Sequence, residues 1–167
     1  SARPRPAEDE RIYCIGDIHG RLDLLQELHG LIREEAVGGD AACSVVYLGA
    51  YIDRGMYSRQ VIDELLDAPL DGFDSVYLVG NHEQTLLDFL EHPQAAAGWL
   101  NWGGRETLAS YGVPLHPNSR PDPVEIRDRL QERLPERHLA FYRDMKVVHV
   151  SGDYLFVHAG IRPGRPL

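Results

Sequence analysis

The 167-residue chain has no apolar run approaching the ~20 residues that a membrane-crossing helix requires, so no part of it is expected to span a bilayer. Cysteine is scarce. Cys14 and Cys43 each sit in an apolar run without a CxxC neighbour, which argues against a thiolate metal site and for buried, reduced thiols in a cytoplasmic protein. Positive charge is short as well: 17 Lys and Arg face 26 Asp and Glu, a formal net charge of −9. A surface of that sign repels nucleic acid, so a polynucleotide partner is not expected. Any phosphate-bearing substrate must be drawn in locally, by metal ions or a few placed arginines. The sequence also lacks a Walker loop, a Gly-x-Ser-x-Gly elbow and a Ser-His-Asp order, which removes the common routes to phosphate cradling and acyl-enzyme chemistry.

What is present is an ordinary globular composition, 43% hydrophobic, at a length that supports one domain with a substantial core. Residues 1–10 mix prolines, arginines and acids without an apolar stretch and read as a disordered leader, leaving 11–167 as the domain. Residues 11–16 read as a buried strand ending on glycine. Leu22, Leu25, Leu28 and Ile32, with Leu24 and Leu31 beside them, then form the apolar stripe of a helix stopped by Gly38-Gly39. The unit recurs in kind: a strand over 44–48 ends at Gly49 ahead of a helix near 58–66, and a strand over 75–79 ends at Gly80 ahead of a helix over 83–90. In α/β sheets such loops converge on one edge, where ligands bind. From about 93 to 145 the pattern is helical with loop breaks, including 124–134 and 136–142, and reads as an inserted helical cap. Residues 146–150 and 154–157 then predict a hairpin turned by Gly152-Asp153.

The strand ends carry Gly16-Asp17-Ile18-His19-Gly20, Gly49-Ala50-Tyr51-Ile52-Asp53-Arg54-Gly55, Gly80-Asn81-His82-Glu83 and His158-Ala159-Gly160. Asp17 and His19, two apart on an extended segment, can point the same way, and flanking glycines keep the backbone clear of an ion. A mixed set of oxygen and imidazole donors suits manganese, iron or zinc better than calcium. Each stretch alone has a plainer reading: Asp17 as a turn cap, Asn81 and His82 as turn and helix-start residues, Asp53-Arg54 as a local ion pair, His158 as a satisfied strand-end histidine. All of these must hold at once for a site to vanish. His29, His92, His116, His138 and His149 read as structural or surface residues, and Trp99 and Trp102 as packing of the helical segment or lining of a groove.

In this order the stretches G-D-I-H-G, G-x-Y-I-D-R-G, G-N-H-E and H-A-G resemble the signature of calcineurin-like metallophosphoesterases in the phosphoprotein-phosphatase family. Asn101-Trp102-Gly103-Gly104-Arg105-Glu106-Thr107-Leu108 is similar to bacterial serine/threonine phosphatase members. The resemblance implies an α/β, four-layer αββα sandwich of mixed sheets, truncated at the C-terminus. It also implies two divalent metal ions, manganese first and iron or zinc as alternatives, and hydrolysis of phosphomonoesters, foremost phosphoserine and phosphothreonine in proteins, by metal-bound hydroxide. Asp17 and His19 would bind the first metal, and Asn81 and His158 the second. Arg54 and Asn81 would hold the substrate phosphate, and His82, oriented by Asp53, would be the general acid. An alkoxide leaves poorly unless protonated, and an imidazole beside a fixed carboxylate can supply that proton.

Position 50 departs from the pattern. The family has an aspartate there that bridges both ions, whereas Ala50 offers no ligand atom, so activity is expected to fall by orders of magnitude, as in an inactivated variant. The chain also ends at Leu167, ahead of the family's further histidine ligands and second arginine. It is therefore expected to be the N-terminal part of the fold, completed by self-association or by a C-terminal segment. Two other readings stay open. One is a dinucleoside polyphosphate hydrolase, whose members have Ala-Arg-Gly and Asn-His-Asp where this chain has Asp53-Arg54-Gly55 and Asn81-His82-Glu83. The other is a non-catalytic module that binds phosphorylated partners.

Overall fold

The computed structural model describes residues 3–7, 9–39, 41–116, 119–120 and 122–164. Strands β1 (Glu10–Ile15), β2 (Ala42–Tyr47) and β3 (Phe73–Tyr77) pair in parallel in that order, with Ile15, Tyr47 and Tyr77 in register at their C-terminal ends. Parallel neighbours need a crossover connection, which α1 (Leu22–Ala36) and α2 (Ser58–Asp67) supply. One face of the sheet packs on these helices through Tyr13, Ile15, Val45, Tyr47 and Tyr77, with Tyr47 and Tyr77 stacked at 5.0 Å. All three strand ends therefore deliver their loops to a single edge.

Helix α1 buries the apolar stripe expected of it only in part: Leu22 packs against the core with Leu25 and Ile32, but Leu28 does not. Leu25, His29 and Ile32 are buried, while Leu28 is 38% exposed and Leu24 and Leu31 more so. The row at i, i+4 and i+7 from Leu25 runs through His29, and its burial is tolerated because Nε2 lies 2.8 Å from the Tyr47 hydroxyl. His138 is buried in the same manner, with Nδ1 2.9 Å from the Tyr111 hydroxyl and Nε2 3.0 Å from Asp63. Burial holds both imidazoles below the ordinary histidine range, even though the Asp63 carboxylate pulls His138 the other way. In the unfolded chain they protonate near ~6.5. Below that value the unfolded state binds the extra protons, so stability is full above it and is lost as pH falls. The melting temperature is expected to drop between about pH 7 and about pH 5.5, and His29→Gln to flatten that slope; a profile flat in the unsubstituted chain would contradict the assignment.

The helix expected over 83–90 is α3 (Asn81–Glu91), and the stretch read as a cap, about 93–145, contains a 3₁₀ turn (Ala97–Asn101), α4 (Gly104–Ser110), α5 (Pro123–Arg133) and α6 (Glu136–Asp144). These share one core with the sheet. Phe141 of α6 meets Tyr77 at 4.9 Å and Tyr51 at 6.1 Å, and Phe89 of α3 meets Trp99 at 5.1 Å. Lys146, expected in the hairpin, instead pairs in parallel with Leu78, its N–H donating to the Tyr77 carbonyl at 2.9 Å. The chain thus adds beside β3 before it enters the antiparallel hairpin of β4 (His149–Ser151) and β5 (Tyr154–Phe156).

The hairpin lies over the second face of the sheet, where Tyr154 and Phe156 line a small hollow with Ile12 and Cys14. This cover is partial. Cys14 is exposed and Cys43 half-buried, both as free thiols, against the expectation that both would be buried. The described part of the segment 1–10, read as disordered, has no helix or strand before Glu10 yet is held by the hairpin: Arg5 N–H donates to Asp153 at 3.1 Å, and Asp153 N–H to the Arg5 carbonyl at 2.8 Å. Composition alone hides such main-chain pairing, because any residue can supply it.

Candidate active site

The loops after β1, β2 and β3 meet through backbone contacts that force unusual conformations. His19 (φ 46°), Ala50 (φ 57°), Asp53 (φ 73°) and Arg54 (φ 67°) all occupy the left-handed region. Non-glycine residues there cost on the order of 1–3 kcal/mol each and persist only when their surroundings over-determine them. The surroundings do so. Ile18 and His19 N–H both donate to the Ala50 carbonyl at 2.9 Å, and Gly20 N–H donates to the Tyr51 carbonyl at 2.8 Å. On the other side, the fully buried Glu83 accepts from the N–H groups of Gly80 (3.0 Å), Ala50 (2.9 Å), Tyr51 (2.8 Å) and Ile52 (3.4 Å). Burial lifts the Glu83 carboxyl above its usual range, and these four donors pull against that shift.

Asp53 is wholly buried, and its carboxylate accepts three hydrogen bonds: from His82 Nδ1 at 2.7 Å, Trp99 Nε1 at 2.8 Å and Thr107 Oγ1 at 2.6 Å. Three donors on one carboxylate make its removal from water tolerable. Trp99 and Thr107 reach Asp53 because the turn at 103–104 is bolted against it. Gly103 (φ 106°) lies so close that a Cβ would stand 2.4 Å from the Arg54 nitrogen, and one on Gly104 would stand 2.5 Å from the Trp99 ring. With Nδ1 engaged by Asp53, His82 keeps Nε2 for other work, and its ring meets that of His19 edge-on at 4.6 Å.

The proposed ligands come as two pairs. His19 Nδ1 lies 2.8 Å from the Ile52 carbonyl, and a carbonyl only accepts, so the proton sits on Nδ1 and Nε2 carries a lone pair. That Nε2 is buried without a hydrogen-bond partner, 3.5 Å from an Asp17 carboxylate oxygen. His158 Nδ1 likewise faces the Leu48 carbonyl at 2.8 Å, which turns its Nε2 toward the Asn81 amide oxygen at 2.9 Å. An imidazole whose second nitrogen donates to a backbone carbonyl is the usual arrangement of a metal-bound histidine. The donor set therefore fits divalent cations, although among the described residues no three His, Cys, Asp or Glu side chains converge on one point. Ala50, fully buried, is tied through its carbonyl to the N–H groups of Ile18 and His19 and, through Glu83, to the Gly80 turn, and brings only a methyl group.

A cleft of about 860 Å³ opens beside His82, lined by Arg54, Asn81, Asn101, Trp102, Arg105 and neighbours. The two tryptophans divide the roles considered for them: Trp99 is buried and fixes Asp53, while Trp102 is 61% exposed in the cleft. Sequence reasoning singled out Asp17, His19, Asp53, Arg54, Asn81, His82 and His158 as candidates; it did not anticipate Glu83 as the clamp, Trp99 and Thr107 as partners of Asp53, or Arg105 in the lining of the cleft. The only signal for Thr107 and Arg105 was the Asn101–Leu108 similarity, which carries no partner information, and Trp99 lies outside that stretch.

Residues 10–166 match the calcineurin-like phosphoesterase family. The chain is 31% identical to Shewanella-like protein phosphatase 2 of Arabidopsis thaliana, over 91% of this chain and 46% of that protein. It is 33% identical to a symmetrical bis(5'-nucleosyl)-tetraphosphatase of Acidovorax sp. (strain JS42), over 91% of this chain and 44% of that one. The solved structure of a cold-active protein-tyrosine phosphatase of a psychrophilic Shewanella shares the fold, with a TM-score of 0.52 at 21% identity over 95% of this chain and 46% of that chain. The chain thus spans less than half the length of these relatives. The match over residues 10–166 places the chain in the calcineurin-like phosphoesterase family.

Proposed function

We propose that the chain carries the metal- and phosphate-binding loops of a phosphomonoesterase of the bacterial serine/threonine protein-phosphatase type, and that Ala50 leaves it far less active than an aspartate form. The observation that supports this reading best is the His82–Asp53 pair, buried at 2.7 Å and set edge-on against a histidine whose Nε2 has no partner. An imidazole held through Nδ1 by a fixed carboxylate presents Nε2 in one orientation, which is what protonation of a leaving alkoxide demands. Arg54, on the same cleft, offers a forked donor for the phosphoryl oxygens, and the Asn81 amide stands beside His158 to orient them. Two divalent cations, manganese first among candidates, held by Asp17 and His19 and by Asn81 and His158, would supply Lewis acidity and an acidified water.

Similarity to bis(5'-nucleosyl)-tetraphosphatases supports a second reading, hydrolysis of dinucleoside polyphosphates. Asp53-Arg54-Gly55 and Asn81-His82-Glu83 favour the first. Parallel assays of an Ala50→Asp form with manganese, on a phosphoserine peptide and on a dinucleoside tetraphosphate, decide between them. Faster turnover of the peptide is expected, faster turnover of the nucleotide reverses the ranking, and hydrolysis of neither leaves a phospho-binding module.

A further inference from the structure

With Arg54 assigned to the phosphoryl oxygens, Arg105 is the other arginine lining the cleft, and the proposed function gives it no role. It sits in α4 one position past the Gly103-Gly104 turn, so the contacts that lock this turn onto Asp53 and Arg54 also fix the start of its side chain. Its Nη1 is buried and has no hydrogen-bond partner, and no carboxylate of the described residues forms an ion pair with it. Elsewhere in the described structure the arginines that face carboxylates are paired with them, as Arg21 is with Asp23 and Arg137 is with Asp63 and Asp67. A guanidinium donor shielded from water and left unmatched is costly unless an acceptor arrives with a ligand. Beside it stands Trp102, whose indole is open to the cleft, while Glu106 places a negative charge in the same lining and narrows where an anion can sit.

We propose that Arg105 is a specificity-determining residue of this cleft, binding a second anionic group carried by the leaving side of the substrate, with Trp102 as the surface for the group between the two anions. The assignment rests on the phosphoesterase reading and deepens it: Arg54 takes the scissile phosphoryl group, and Arg105 takes a carboxylate next to the phosphorylated residue. A planar guanidinium binds carboxylate through two parallel N–H donors, so the preference is for an acidic residue adjoining phosphoserine or phosphothreonine.

The test compares two phosphoserine peptides that differ only in having Asp or Ala beside the phosphoserine, with phenyl phosphate as a probe bearing one anion. Binding is read, with manganese present, from quenching of Trp102, since the only other tryptophan, Trp99, is buried. The chain is expected to bind the acidic peptide about tenfold tighter than the neutral one. Arg105→Ala is expected to abolish that ratio while leaving phenyl phosphate affinity within about twofold, and Arg105→Lys to keep part of it. Arg105→Gln tests the same point should the alanine form not fold. A ratio unchanged by these substitutions overturns the assignment of Arg105 while binding of phenyl phosphate leaves the phosphoesterase reading standing. Failure of every probe to bind overturns both.

Discussion

Ala50→Asp is expected to raise manganese-dependent hydrolysis of an aryl phosphate by about a hundredfold or more. The backbone is already shaped for such a residue. Ala50 holds φ 57° in the left-handed region, where aspartate and asparagine occur several times more often than alanine, because their short polar side chains can bond locally. The loop is clamped on both sides, by Ile18 and His19 through its carbonyl and by Glu83 through its N–H, so the new carboxylate enters a preset position. It also enters a fully buried one. Without cations an unpaired carboxylate there is expensive, so the metal-free variant is expected to melt below the alanine form. With manganese at ~100 times its dissociation constant the variant should regain about 3 kcal/mol, or roughly 5–10 °C, a larger gain than the more weakly binding alanine form shows at the same concentration. Equal melting curves with and without manganese, together with an unchanged rate, would sink the proposal that position 50 joins the two ligand pairs.

Glu83→Ala is expected to be among the most destabilising single changes in the chain, costing about 3–5 kcal/mol. Among the described residues this carboxylate is the one acceptor that the N–H groups of Ala50, Tyr51 and Gly80 reach, all in fully buried surroundings. Removing it strands these donors, and water cannot reach them without opening the loops. The same substitution releases the left-handed residues of the β2 loop, so a loss of about 10 °C or more in melting temperature should be accompanied by weaker manganese binding. Glu83→Gln keeps the volume but turns an amide N–H₂ toward donors, so it should recover only part of the loss. Urea denaturation that returns a difference below about 1 kcal/mol for the alanine form would show that the loops are held by something other than this carboxylate.

The order of strands and helices was legible in the sequence because hydrophobic period and glycine punctuation are local properties. Strands expected at 44–48 and 75–79 lie at Ala42–Tyr47 and Phe73–Tyr77, and helices expected near 58–66 and 136–142 lie at Ser58–Asp67 and Glu136–Asp144. Errors arose where the partner decided. His29 displaced Leu28 from the core because Tyr47 of β2 waited opposite it, and Lys146 left the hairpin because the Leu78 edge was open to pairing. Cys14 stayed exposed because only a short hairpin covers its face of the sheet.

The candidate site divides along the same line. Residue types and their short spacings named Asp17, His19, Asp53, Arg54, Asn81, His82 and His158, since donors two or three positions apart must emerge from one loop. Tertiary structure alone decided which of them meet, and brought Trp99 and Thr107 to Asp53 from 46 and 54 residues away. Sequence determined which chemical groups each strand end would carry, because that is fixed along the chain. Their distances, their protonation and the strained backbone that aims them came from long-range packing, which no local pattern encodes.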